Sequence, residues 1–284
     1  MLNLQNKKYK QRLYNTKKGF SMNFYWIYGM PNWQFFLVCM AFFVGFSILG
    51  AFLFRQFFEK WMGLKANNNE VVGNFLSVSG LFYGITLGLI SVGTFDNFQS
   101  AETSVSQEAS ALNGLYRAVN LLEKNDKNAL KILLKDYAQY MVGEGWQLQQ
   151  QGKLPKGTSK IVNRFEEILS SYTIESEKDK IVFAEVLTQN SKLSEKRRER
   201  INHVQQGLPA AVWLVLFVGA FIVTALTWLL VIANQKLDIV VNTLCGVLLG
   251  SLIFLIAAMD NPFRGEFSVS SEPFQLLIDG VMKQ

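Results

Sequence analysis

Hydrophobic residues gather into four uninterrupted runs, 35–54, 71–95, 208–233 and 239–259, of 20, 25, 26 and 21 residues without a charge. A helix rises about 1.5 Å per residue, so each run is long enough to cross the roughly 30 Å hydrocarbon core of a bilayer. They predict four membrane helices, spans one to four. Trp33 and Trp61 bracket span one, where amphipathic rings settle at headgroup level. The first run is too long for a secretory signal, and no small-residue cleavage site follows it.

Between spans two and three the pattern changes to a helical period. Val105, Ala109, Leu112, Tyr116 and Val119 alternate spacings of four and three, and Leu130, Leu134, Tyr137 and Met141 repeat it. That is the seam of a bundle helix. Asn125 or Asp126 is placed to cap the second of these helices. The Gly143, Gly145 and 149–159 stretch reads as loop, 161–172 as a short amphipathic helix and 177–206 as a longer one. No period-two strand pattern occurs. The expected fold is an all-α membrane protein with a helical bundle inserted between spans two and three. Its segments are 1–34 (basic), 35–95 (spans one and two), 96–207 (helical domain), 208–259 (spans three and four) and 260–284 (C-terminal segment).

Composition fits this picture. Half the residues are hydrophobic, 18% are charged and mean hydropathy is +0.16, against about 25% charged in soluble domains. The net charge of +6 comes entirely from Lys7, Lys8, Lys10, Arg12, Lys17 and Lys18, in an N-terminal segment without an acid. The remainder is balanced, so no nucleic-acid-binding face is expected. A basic tail feeding an apolar run is instead a topology signal. With four spans, the termini and 96–207 share one side and hold 24 of the 28 Lys and Arg; Arg55, Lys60, Lys65 and Lys236 are on the other. The positive-inside rule then puts both termini and the helical domain in the cytoplasm of a multi-pass inner (plasma) membrane protein.

Catalytic chemistry is missing from the pattern. One histidine, His203, stands beside span three, and Cys39 and Cys245 lie in different spans without metal-ligand spacing. Phosphate loops, nucleophile elbows and zinc motifs are absent, and no enzyme, cofactor or metal site is expected. Span two carries the informative pattern. Gly80, Gly84 and Gly88 repeat every four residues, and Asn74, Ser77, Leu81, Gly84, Gly88, Ser91 and Phe95 form one stripe. Small residues at this spacing serve close helix packing. Amides and hydroxyls at several levels can instead line a wet path, with Phe82 or Phe95 as the apolar constriction. Such a path needs several copies of the chain, since four helices leave little room for one.

Asp96 follows span two. A ring of Asp96 from several copies would favour cations at that mouth, or Asp96 could pair with Arg264 or Arg200. Glu102 and Glu108 could meet Arg197, Arg198 or Arg200, although a solvated charged face is the simpler expectation. Gly246 and Gly250 in span four are a second close-approach pair. Pro262 ends span four and Gly265 permits a turn, so that Phe263 and Phe274 can tuck the tail against the helical domain.

The stretch FDNFQSAETSVSQEASALNGLYR, Trp146, the RRER run before Pro209 and Trp213, and DNPFRGE leading to a Pro-Phe pair together resemble the bestrophin-like family of membrane proteins, over about residues 70–280. Asp260, Pro262, Phe263, Gly265, Val269, Pro273 and Phe274 match its closing signature; Ser271 replaces a second proline. The resemblance implies kinship with bestrophins, pentameric anion channels whose second span lines the pore and carries a hydrophobic neck. Lipid, small inorganic ions and further copies of the chain are the implied partners. The acidic calcium clasp of animal bestrophins has no match, since Asp260 stands without an acidic cluster, and Asp96 would oppose anions. Two functions stay open: an oligomeric ion channel lined by span two, or a membrane-anchored sensor or scaffold whose helical domain binds a partner.

Overall fold

A computed structural model describes residues 25–122, 126–174 and 176–283. The basic cluster from Lys7 to Lys18 and the candidate cap Asn125 lie outside the described residues. Nine helices follow one another, with no strand among the described residues: α1 Asn32–Met62, α2 Asn69–Asn120, α3 Asp126–Val142, α4 Glu144–Gln150, α5 Gly157–Ser171, α6 Glu177–His203, α7 Ala210–Trp228, α8 Gln235–Met259 and α9 Glu272–Asp279. Four of them, α1, α2, α7 and α8, are long and apolar enough to cross a membrane.

The described residues form two compact units, those up to 92 with 207–257, and those of 93–206 with those from 258 onward. In the first unit, Phe35, Cys39 and Phe43 of α1, Tyr83 and Leu87 of α2, Leu216 and Ala220 of α7, and Leu249 and Ile253 of α8 share one apolar core. Glycines set how closely α1 and α8 approach. A Cβ on Gly246 would lie 2.6 Å from Val44 Cα, and one on Gly250 would lie 3.1 Å from the Cys39 carbonyl oxygen. Pro31 and Pro209 stand immediately before α1 and α7, where a missing N–H costs nothing. Gly63 ends α1 in the left-handed conformation, φ 62°, its N–H returning to the Glu59 carbonyl.

The second unit is a helical body. All five α2 seam residues and all four from α3 are buried in its core, beside Trp146, Phe165, Val186, Leu193, Phe263 and Phe274. Ser176 caps α6 by accepting the Asp179 N–H at 3.0 Å. Tyr172, where α5 ends, donates to the Asp179 carboxylate at 2.7 Å, which ties α5 to α6.

Local structure departs from the hydropathy pattern in three places. The third apolar run keeps its helix only to Trp228; past it the Asn69 side chain bonds both the N–H and the carbonyl of Val231 at 2.9 Å, and Asn234 accepts the N–H groups of Lys236 and Leu237 to start a new helix. Residues 144–150, half read as loop, form the short helix α4, which buries Trp146 and Gln149. The long helix of the second unit stops at His203 rather than at 206.

Candidate pore-lining helix

Helix α2 is continuous for 52 residues, roughly 78 Å. Within the first unit its buried side is narrow. Tyr83 and Leu87 enter the core, and the Tyr83 hydroxyl donates to the Leu216 carbonyl at 2.6 Å. Gly219 of α7 makes room for that ring; a Cβ there would overlap it.

The stripe falls on a different side. Asn74, Ser77, Leu81, Gly84 and Gly88 are exposed and Ser91 is half-buried. Beta-carbons built on Gly80, Gly84 and Gly88 meet nothing within 4 Å. Packing inside the chain therefore makes no use of these glycines, in contrast to Gly246 and Gly250. Ser77 bonds its own backbone at Gly73, 2.8 Å away. The side chains of Asn74 and Ser91 have no hydrogen-bond partner among the described residues. The remaining surface carries Val71, Phe75, Val78, Phe82, Ile85 and Leu89, all exposed. Phe82 belongs to this bulky apolar side: two positions from Gly84, it is turned about 200° away on the helix. Phe95, eleven positions on from Gly84, falls back to within about 20° of it.

In the second unit, Asp96 is exposed and has no ion-pair partner among the described residues. It lies on a cavity of about 450 Å³ lined also by Thr103, Ser104, Glu199 and His203. The expected pairing with Arg200 does not form, because Arg200 is taken up elsewhere. Its Nε bonds Glu108 Oε2 at 2.5 Å and a terminal nitrogen bonds Glu108 Oε1 at 3.2 Å, with both side chains fully buried. The Gln149 side-chain carbonyl accepts from the same guanidinium, and the Tyr137 hydroxyl donates to Glu108. This corrects the expectation of a solvated charged face: two charges here are removed from water and satisfied by each other. Burial, together with the Glu108 charge, holds the Tyr137 hydroxyl well above the usual tyrosine pKa, with the Arg200 charge opposing. Burial acts against the Arg200 charge, and the Glu108 carboxylate and Tyr137 together more than offset this, leaving that pKa raised. Arg264 donates to the Gln151 carbonyl at 3.0 Å.

Sequence reading overlooked a second polar cluster, in the first unit. Arg55 makes a two-point contact with Asp238, one branch at 2.6 Å, and both side chains are largely buried. The Asn242 amide nitrogen donates to Asp238 at 2.8 Å, and its carbonyl accepts from Ser47 and Thr227 at 3.0 Å each. The Trp228 indole N–H reaches the Ser47 carbonyl, and its ring fills the space that Gly50 leaves. Arg55 and Asp238 each lie just outside an apolar run, so span counting assigned both to loops; their opposite charges were the only available signal.

Residues of the closing signature organise the tail. Phe263 and Phe274 are fully buried and meet the Trp146 ring edge-on, at 5.7 and 6.5 Å between centroids. Gly265 has φ 79°, a left-handed backbone that suits glycine. The Val269 N–H returns to the Pro262 carbonyl at 2.8 Å, and Pro273 sits in the first turn of α9. Asp260 is buried. No group of three His, Cys, Asp or Glu is placed to hold a metal among the described residues.

Comparison with known proteins gives a consistent picture. Residues 41–274 match the family model described as Bestrophin-like domain. Among solved structures, crystal structures of a bacterial bestrophin homologue from Klebsiella pneumoniae share the fold. A point-mutant form superposes with TM-score 0.66 at 14% identity, covering 88% of this chain and 99% of the other. A form phased on zinc gives TM-score 0.66 at 15% identity, covering 87% and 98%. Another mutant gives 0.65 at 16%, covering 87% and 97%. No curated protein matches.

Proposed function

This chain belongs to the bestrophin-like family, and from that premise we propose that it is a four-span protein of the plasma membrane that assembles from identical copies and conducts small inorganic ions along α2. The helical body and both termini face the cytoplasm in this reading, as the basic N-terminal residues favour. Asn74, Ser77, Gly84, Gly88 and Ser91 line the path. Phe95 narrows it, and Asp96 draws cations to the cytoplasmic mouth. Phe82, on the adjoining bulky apolar side of the helix, is the alternative constriction.

One observation carries the proposal. Gly80, Gly84 and Gly88 of α2 meet nothing in their own chain and the Asn74 side chain has no partner among the described residues, whereas a neighbouring side of the same helix is packed. An amide such as Asn74 inside an apolar run is costly against lipid, and water or another copy relieves that cost. Several copies with this side turned to a common axis give a lumen of small residues and short polar groups.

Purified protein in liposomes tests the reading. Ion flux down an imposed gradient, altered in Phe95→Ala, is the expected result. Flux equal to that of empty liposomes under cation and anion gradients alike would favour the scaffold reading.

A further inference from the structure

The second unit has another cavity, of about 680 Å³, that the conduction reading does not use. Its lining includes Tyr140, Glu144, Lys153, Lys156, Gly157 and Lys160. Three ammonium groups thus share one pocket with a single carboxylate. None of them has an ion pair among the described residues; Lys153 bonds only the neutral Gln151 side chain, at 2.8 Å.

The positions of these lysines run against ordinary helix electrostatics. Lys156 immediately precedes α5, Lys160 lies in its first turns, and that first turn holds no acid. The N-terminal end of a helix is its positive pole, where carboxylates stabilise and ammonium groups do the opposite. Arg197 adds a further cation there by donating to Ser159. Natural sequences break such local rules chiefly where a function compensates.

The pocket wall is shaped as well as charged. The Tyr140 hydroxyl accepts the Gly157 N–H at 3.2 Å, and its ring occupies the space where a Cβ on residue 157 would sit. Having accepted that bond, the hydroxyl keeps its own proton to donate, and no protein acceptor takes it among the described residues. Three exposed lysines and one hydroxyl donor at the pocket wall match an anion with several oxygens.

We propose that this cavity binds a phosphate group, either free in the cytoplasm or as the headgroup of an anionic phospholipid, through Lys153, Lys156, Lys160 and the Tyr140 hydroxyl. The site is separate from the α2 stripe and does not depend on whether the protein conducts.

The test uses the full chain, purified in phospholipid-free detergent. Calorimetric titrations employ inorganic phosphate in one arm and dioctanoyl phosphatidic acid in the other, with dioctanoyl phosphatidylcholine as the reference lipid. The expected result is one saturable site per chain, weakened about tenfold or more in K153Q/K156Q/K160Q and weakened in Tyr140→Phe. Binding of inorganic phosphate identifies the free anion as the source; binding of phosphatidic acid alone identifies the lipid headgroup. Neither ligand binding at a saturable site would overturn the proposal, and so would undiminished binding by the triple variant. Should that variant fail to fold, Lys156→Gln and Lys160→Gln are compared singly by the rise in melting temperature that phosphate produces. A rise as large as in the unmodified chain in both would also overturn it.

Discussion

Arg200 and Glu108 lie 92 positions apart in sequence, and in the helical body they form a fully buried, two-point ion pair. Tyr137 and Gln149 complete their hydrogen bonding, so the pair is a satisfied polar group inside an apolar core. Removing one partner strands the other charge away from water. Glu108→Leu or Arg200→Met alone should each destabilise the protein by about 3–5 kcal/mol. The double replacement Glu108→Leu with Arg200→Met should cost much less than the two single losses added. Thermal melting of the four proteins in one detergent checks this, and additive losses would count against a coupled pair.

Tyr137 gives the body a pH signature. Its folded pKa lies above the ordinary value of 10.0, so the unfolded chain loses this proton first as pH rises. The associated stability is complete below about pH 10 and falls above it, at about 1.4 kcal/mol per pH unit for this one group, until the folded hydroxyl itself ionises. Tyr137→Phe should be less stable than the unmodified chain at pH 8, through loss of the bond to Glu108. The difference should shrink between pH 10 and 11. A gap in melting temperature that stays constant over that range would contradict the assignment.

The glycines of the first unit divide into two classes with opposite expectations. Gly246→Val drives a side chain into the Val44 backbone and should lower stability by about 1–3 kcal/mol or more. Gly84→Ala and Gly88→Ala meet no atom of their own chain and should leave the subunit fold intact, with a gain in helix propensity. Any change in assembly or flux from the second class is then an effect at the α2 surface. Denaturation curves and particle size measured side by side separate the classes.

The four long apolar helices and the bundle seam were legible because both rest on local pattern: uncharged length for the first, the alternating spacing of Val105 to Val119 and Leu130 to Met141 for the second. Where a helix stops was less legible. Asn234 starts a new helix through two hydrogen bonds that hydropathy averaging ignores. Partnerships between distant residues were the least legible. Arg55 with Asp238 went unread and Glu108 with Arg200 stood only as one of several open pairings, because tertiary packing, not spacing, sets the mate of a charge. The side of α2 that carries Asn74 and Gly84 could be read from spacing. That it meets nothing in its own chain could not, since spacing says which residues share a side and not what faces them.

At the tail, Gly265 holds a positive φ that a β-branched residue tolerates poorly. Gly265→Val should cost about 1–3 kcal/mol and loosen the tail that carries Phe263 and Phe274. The loosening should appear as faster proteolysis after residue 265 and a red-shifted Trp146 emission. An unchanged melting temperature together with unchanged cleavage would contradict this.

The central claim, that the small and polar side of α2 faces water, is tested most directly by thiol accessibility in the assembled membrane protein. In a background of Cys39→Ala and Cys245→Ala, single cysteines are placed at Ser77, Gly84, Ser91, Val78 and Leu89 and treated with a membrane-impermeant, charged thiol reagent. Modification at 77, 84 and 91 with loss of ion flux is expected, and protection at 78 and 89. Modification at 78 and 89 with protection of the stripe, or equal protection throughout, would contradict it.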